Sequence, residues 1–178
     1  MESAFAWIGQ IVGWFGQFIP RWQIINANQG AVKFKHGKHI VPLGPGVHWW
    51  FPATSNLTIY PTARQTVDLR TQLLVTTDGK TVAVGGMVTY RVSDIEALIG
   101  RTFDADQTIK DICAGVISEI VRDAAWADLQ TPEFQKELKG LMRLRLRPFG
   151  VRVLKATLTD CAPVIGLKMF QSTGQDVG

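Results

Sequence analysis

LLVTTDGKTVAVGGMVTYRV, residues 73–92, decides how this chain folds. Leu73–Thr76 and Thr81–Val92 are strand-like runs, and Asp78-Gly79 between them is a strong two-residue hairpin signal because glycine accepts φ > 0. Working back towards the N-terminus, the same texture continues to about Ile24, with short apolar runs broken by turn residues and no helical period. The predicted strands there are Gly30–Lys35, His39–Val41, Val47–Phe51, Leu57–Tyr60 and Gln65–Leu69.

Beyond Val92 the period changes from strand to helix. Ser93 with Glu96 reads as a capping box opening a short helix that Gly100 closes. Asp104 with Gln107 opens a longer one, in which Ile109, Ile112, Cys113, Val116, Ile117, Ile120 and Ala124 recur at helical spacing. Thr131-Pro132 supplies an N-cap and a first-turn proline for a third helix reaching about Arg147. Leu144-Arg145-Leu146-Arg147 alternates like a strand, but cap and length favour helix. Gly150 then turns the chain into a last strand, Val151–Thr159. The expected class is α+β, β-rich over 22–92 and helical over 93–163, with a short tail at 164–178.

Of the 178 residues 46% are apolar and 19% charged, and six are tryptophan. So little charge with so many indoles points to a non-aqueous partner. The net charge of +4 is unevenly spread. Between Glu2 and Asp68 there is no acidic residue, while Arg21, Lys33, Lys35, Lys38 and Arg64 fall there with His36, His39 and His48. A basic stretch after an apolar one suits anionic lipid headgroups, at roughly 1 kcal/mol per Lys or Arg near the surface. Hence Arg21, Lys33, Lys35 and Lys38 are candidate headgroup contacts. There is no dense Lys/Arg run and no nucleic-acid module, so nucleic acid is not an expected partner.

From Ser3 to Pro20 there are 18 residues without a formal charge, including Phe5, Trp7, Ile8, Ile11, Val12, Trp14, Phe15, Phe18 and Ile19. As a helix, residues 1–20 approach the hydrocarbon thickness of a bilayer, about 30 Å. Ser3, Ala6, Gln10, Gly13 and Gln17 make a narrow small-and-polar stripe on it. That stripe fits either a packing seam in a spanning helix or the upper face of an interfacial one. A cleaved signal peptide lacks its positive n-region and its cleavage site, and a helix buried in the fold is the remaining alternative. Pro20 ends the helix under each reading. The basic residues after it favour a domain on the cytoplasmic side, with the opposite side still open.

Val47-His48-Trp49-Trp50-Phe51 carries large side chains on both faces of a strand. Either both faces are buried or one meets lipid. Trp49, Trp50 and Phe51 are therefore the second candidate membrane contact. In Lys35-His36-Gly37-Lys38-His39 the two histidines have no third ligand nearby, so a solvated turn is expected rather than a metal site. Cys113 and Cys161 lack a partner at metal spacing, and Cys113 reads as a small hydrophobe. No G-x-S-x-G and no phosphate-binding glycine loop occurs, so neither catalytic residues nor a cofactor is expected. Arg143, Arg145 and Arg147 near a helix C-terminus suit the helix dipole. They are also a candidate oligomer interface, pairing with Glu133 and Glu137 or Asp123 and Asp128 of a neighbouring subunit.

In order along the chain stand Gln29-Gly30-Ala31-Val32, Gly44-Pro45-Gly46-Val47-His48 leading to Phe51-Pro52, and Val67-Asp68-Leu69-Arg70. Thr77-Asp78-Gly79 with Val88-Thr89-Tyr90-Arg91-Val92 follows. Phe149-Gly150-Val151-Arg152-Val153, then Leu158-Thr159-Asp160 and Pro163, completes the series. Over about residues 22–163 this set resembles the stomatin, prohibitin and flotillin superfamily, also called SPFH or band 7. The resemblance implies a two-part α+β domain on a membrane, assembling side by side into rings or microdomain scaffolds, with no catalysis. It also implies membrane proteins, including membrane proteases, as partners besides the lipid bilayer and other copies of the chain. A regulatory module docked on one membrane protease or transporter, without a large ring, is the alternative. Relatives continue into a long coiled coil, whereas Val164–Gly178, with Gly166, Gly174 and Gly178 and no heptads, cannot supply one.

Overall fold

The strand and helix periods become, in the computed structural model, antiparallel sheets and amphipathic helices; residues 19–164 are described. In chain order the strands are β1 (Arg21–Ile25), β2 (Gln29–Lys35), β3 (His39–Leu43), β4 (Gly46–Trp50), β5 (Ser55–Pro61), β6 (Gln65–Val75), β7 (Thr81–Val92) and β8 (Val151–Pro163). Between β7 and β8 lie α1 (Ile95–Arg101), α2 (Ala105–Arg122) and α3 (Pro132–Leu146). β1 pairs with β4 as a two-stranded ribbon, β2 is central in β3-β2-β5, and β7 is central in β6-β7-β8.

The main core lies on one face of the β6-β7-β8 sheet. Val82, Val84, Val88, Tyr90 and Val92 alternate inward along β7 and meet Ile109, Cys113, Val116, Ile117 and Ile120 of α2. Phe134, Leu138, Met142 and Leu146 of α3 complete it, at the i, i+4 spacing of one helix face. At Gly86 sheet and helix approach closely, since a Cβ there would stand 2.9 Å from Ile117 Cδ1. Burial pushes the Cys113 thiol up to about 12, as expected of a cysteine acting as packing. β2, β3 and β5 bury far less, chiefly Ala31 and Val32. The β-rich stretch 22–92 is thus shared between sheets, and α1 packs across β2 and β3 while Tyr60 of β5 packs against the main core.

Several local expectations change. The short helix is capped by Asp94, whose Oδ1 accepts from Ala97 N at 3.0 Å, and not by Ser93. Ser93 is still extended chain, and its hydroxyl donates to Gly150 O at 2.8 Å. Gly100 does not end α1, which runs to Arg101 before Thr102 caps it by donating to Leu98 O. Gln65–Leu69 and Leu73–Thr76 merge into β6, with a register shift between Leu69 and Gln72. The final strand extends to Pro163 because β7 offers it partners that far. Arg21–Ile25 is an additional strand. Asp104 and Thr131 cap α2 and α3 as expected, and α3 gives way after Leu146 to a 3-10 turn, Arg147–Phe149.

The β6–β7 hairpin turns at the expected place through Thr77-Asp78-Gly79 rather than a two-residue loop. Gly79 N donates to Thr76 O at 3.0 Å and Gly79 alone takes a positive φ, 74°. Asp78 binds this turn by accepting from the Thr76 hydroxyl, pairing with Lys80 Nζ at 3.1 Å and accepting from Trp126 N at 3.3 Å. Those donors, the Thr76 hydroxyl foremost and then Lys80, hold its carboxyl at about 2, below the usual 3.8. A depressed folded pKa contributes stability above the unfolded value and loses it as pH falls through the folded one. The stabilisation from Asp78 should therefore be intact above about pH 4 and vanish towards pH 2. Carboxyl NMR titration should show an Asp78 midpoint near 2, and a midpoint near 4 would refute the turn's electrostatics.

Candidate membrane-contact site

Strand directions gather one set of side chains at one end of the fold. β1 begins, β2 ends, β3 begins, β4 ends and β5 begins there, as the pairs Arg21↔Trp50, Lys35↔His39 and Lys35↔Ser55 require. Phe51 joins them, its carbonyl accepting from Ser55 N at 2.9 Å. His36 and Gly37, at φ 51° and 67°, form the two-residue β2–β3 turn that closes this end, with Lys38 N donating to Lys35 O. The chain enters β1 at the same end, from Ile19 and Pro20.

Register decides what the ribbon presents. Trp22 stands opposite Trp49 and Ile24 opposite Val47, and directly opposed residues share a face. All four are exposed, at 73%, 61%, 65% and 59%, and the two indoles lie 5.9 Å apart in a tilted pair. A groove of about 380 Å³ opens along Trp22, Gln23, Ile24 and Val47. One side of the ribbon is thus apolar, and no described element covers it. On the other side Arg21, Gln23 and Ile25 alternate with Trp50, His48 and Gly46. His48 Nε2 lies 2.9 Å from Gly44 O and braces the Gly44-Pro45-Gly46 turn that feeds β4.

The candidate residues therefore sort themselves. Trp49 and Phe51 are exposed on the chain end just described, as is Ile19. Trp50 is half-buried on the opposite side of the ribbon from Trp49, because neighbouring residues of a strand point opposite ways, so it is not part of the apolar face. Lys33 is half-buried and donates to Trp49 O at 3.3 Å, tying β2 to the ribbon rather than extending outward. Arg21, Lys35 and Lys38 are exposed, and residues 19–67 contain no carboxylate side chain to neutralise them. Val47 belongs to the aromatic strand expected to meet lipid, whereas Trp22 and Ile24 are not among the contacts expected from the sequence, where their i, i+2 spacing is the available signal. Phe5, Trp7, Ile8, Ile11, Val12, Trp14, Phe15 and Phe18 lie outside the described residues. Among those described, no helix is long and apolar enough to cross a membrane.

The arginines of α3 lie elsewhere. Arg145 Nη2 meets both Glu119 oxygens of α2, at 3.0 and 3.1 Å, so its carboxylate partner is in its own chain. Arg143 and Arg147 are exposed. Among the described residues no three His, Cys, Asp or Glu side chains converge as a metal site would need.

Residues 23–164 match the SPFH domain / Band 7 family. The chain belongs to that family. Its α+β architecture of mixed sheet layers and helices is thus a Band 7 domain, and the ribbon, β2-β3-β5 layer and helical layer are parts of it. The domain is similar to an uncharacterised protein of Archaeoglobus fulgidus, 22% identical over 86% of this chain and 63% of the relative. It is also similar to protein HflK of Treponema pallidum, 25% identical over 76% of this chain and 49% of that protein. An uncharacterised protein of Methanocaldococcus jannaschii is 25% identical over 91% of this chain and 83% of its own length. The chain thus spans only about half to two-thirds of the first two relatives.

Proposed function

We propose that this Band 7 protein is a membrane-attached scaffold subunit that assembles laterally and organises or encloses membrane components, without catalysing a reaction. The observation that carries the reading is the uncovered ribbon face of Trp22, Ile24, Val47 and Trp49. It sits at the end where the charge-free segment 3–20 joins the domain, beside exposed Arg21, Lys35 and Lys38. An apolar face rimmed by cations is what an anionic bilayer surface complements. Residues 1–20 serve as the anchor and 164–178 as a short tail, with the domain on the cytoplasmic side.

Deleting residues 2–19 tests the anchor. Flotation with anionic vesicles should recover most of the full chain and markedly less of the truncated one. Full retention of the truncated protein would overturn the anchor assignment. Size separates the scaffold from a regulatory module docked on one membrane protease or transporter. Detergent-extracted protein of many subunits supports the scaffold, and a small stoichiometric complex supports the module.

A further inference from the structure

Two imidazoles stand among the cations at the end of the fold where the chain enters β1. His36, in the β2–β3 turn, and His39, the first residue of β3, are exposed and flanked by Lys35 and Lys38. Turn geometry does not call for the first of them. His36 and Gly37 take consecutive positive φ values, 51° and 67°, for which Asn-Gly is the usual pair. Beside them a groove of about 510 Å³ lies between the turn and residues 52–56, with Thr54, Ser55 and Asn56 along it. His36 N donates to Thr54 O at 2.9 Å and fixes the two walls together.

The charges nearest the turn in the chain are of one sign. Lys35 and Lys38 adjoin the histidines, Lys33 is held at Trp49 O, and Arg21 begins the ribbon beside Trp50. From β5 come Ser55 and Asn56, which are neutral, and His48 of β4 lies against Gly44 O, towards the other end of the ribbon. α1 packs across β2 and β3, and its charged groups Asp94, Glu96 and Arg101 gather with Ile40 around a groove on that side. Ile95 meets Gly30 and Gly100 meets Ile40. The two carboxylates therefore belong to the half of α1 over the far end of β2, and Asp94 Oδ1 is engaged by Ala97 N. Arg101, in the nearer half, donates to Pro148 O at 2.7 Å. Residues 19–67 bring no carboxylate side chain of their own.

Lysine and arginine keep their charge between about pH 8 and pH 5, whereas histidine is the residue type that gains one there. Acidification thus adds cations beside Lys35 and Lys38. In the free protein these like charges repel, and an anion placed among them favours the protonated imidazole. Coupling is reciprocal, so protons held more tightly beside an anion also tighten its binding. We propose that the β2–β3 turn and its groove seat an anionic lipid headgroup, and that protonation of His36 and His39 strengthens this contact as pH falls. A lipid suits the place better than a free anion, because exposed Ile19 and Phe51 at the same end offer apolar contact alongside the charge. The inference rests on the membrane attachment proposed above and adds its regulation.

Flotation of the full chain with vesicles of phosphatidylcholine and phosphatidylglycerol tests this, because the phosphodiester charge stays constant over the range. Lipid is titrated to half binding so that segment 3–20 does not saturate the measurement, and circular dichroism verifies folding at each pH. Each added cation near headgroups strengthens partition about fivefold. Histidine is partly charged at both ends of the range, so the pair should give about a tenfold gain from about pH 7.5 to about pH 5.5. The double variant His36→Asn/His39→Gln, whose asparagine suits the left-handed turn position, should stay within about twofold of the unaltered chain at the higher pH and lose the gain. Pure phosphatidylcholine vesicles should show no gain. A double variant that still gains, or an unaltered chain that binds anionic vesicles equally at both pH values, overturns this site and leaves membrane attachment standing. An equal gain on pure phosphatidylcholine also overturns it, since headgroup charge is then not what the histidines meet. An unaltered chain that binds anionic vesicles at neither pH defeats membrane attachment itself.

Discussion

Gly150→Ala should destabilise the domain by about 4 kcal/mol, the upper range for a single substitution. Gly150 follows the 3-10 turn and takes φ 68°, a left-handed conformation that costs an L-residue about 1 kcal/mol. Space is the larger obstacle. A Cβ there would lie 2.3 Å from the backbone oxygen of Asp94 and 2.7 Å from its Cβ. No rotamer relieves a clash with backbone, so Asp94 must move. Asp94 caps α1, and the carbonyl of Gly150 accepts from Ser93 N at 2.8 Å, Asp94 N at 3.1 Å and the Ser93 hydroxyl. Displacement puts a cap and these hydrogen bonds at risk together, each worth about 1 kcal/mol.

Gly150→Asn separates the causes. Asparagine tolerates the left-handed region but brings the same Cβ, so steric conflict predicts nearly equal loss for both variants. Urea unfolding should show a midpoint lowered in both. A loss below about 1 kcal/mol for Gly150→Ala would mean that the Asp94 junction yields easily and does not fix how α1 meets β8.

That junction also explains what the sequence could and could not disclose. The long helices were legible because Asp104 and Thr131 cap locally and Ile109 to Ile120 and Phe134 to Leu146 each mark one helical face. Ser93 and Asp94 are equally good cap residues by type. The choice between them is made by Gly150, more than fifty residues later, which holds the Ser93 hydroxyl. The strand β1 was hidden for a similar reason. Its partner, residues 46–50, is distant in sequence, and Arg21–Ile25 has too short a pattern to announce itself.

The candidate site was legible as composition and not as geometry. An acid-free basic stretch, a run of indoles and the apolar segment 3–20 can all be counted along the chain. Which indole faces outward depends on pairing register. Trp49 and Trp50 look equivalent in the sequence, yet opposition to Trp22 places Trp49 on the open face and leaves Trp50 behind it. Lys33 looked like Lys35 until β2 was set beside the ribbon and its ammonium met the Trp49 carbonyl.

The open ribbon face leads to the second large effect, loss of lipid binding in the double variant Trp22→Glu/Trp49→Glu. Measured on the chain lacking residues 2–19, so that this segment cannot mask the change, partition onto anionic vesicles should fall by about a thousandfold. Withdrawing a large apolar side chain from a non-aqueous contact forfeits about 1.5–3 kcal/mol. Because the rings are only partly inserted at an interface, the low end of that range applies to each, about 3 kcal/mol for the pair. Two carboxylates added to a segment that has none near Arg21, Lys35 and Lys38 offset roughly one further kcal/mol of headgroup attraction. The total of about 4 kcal/mol corresponds to that thousandfold change. Folding should be little affected, since both rings are exposed and their mutual contact is worth at most about 1 kcal/mol. Trp50→Phe, on the opposite side of the ribbon, should leave partition within about threefold, below the tenfold that 1.4 kcal/mol represents. Equal losses for Trp50 and for the Trp22/Trp49 pair would mean that binding does not use the face defined by the β1–β4 register, and unchanged partition for the pair would remove the ribbon from the membrane contact altogether.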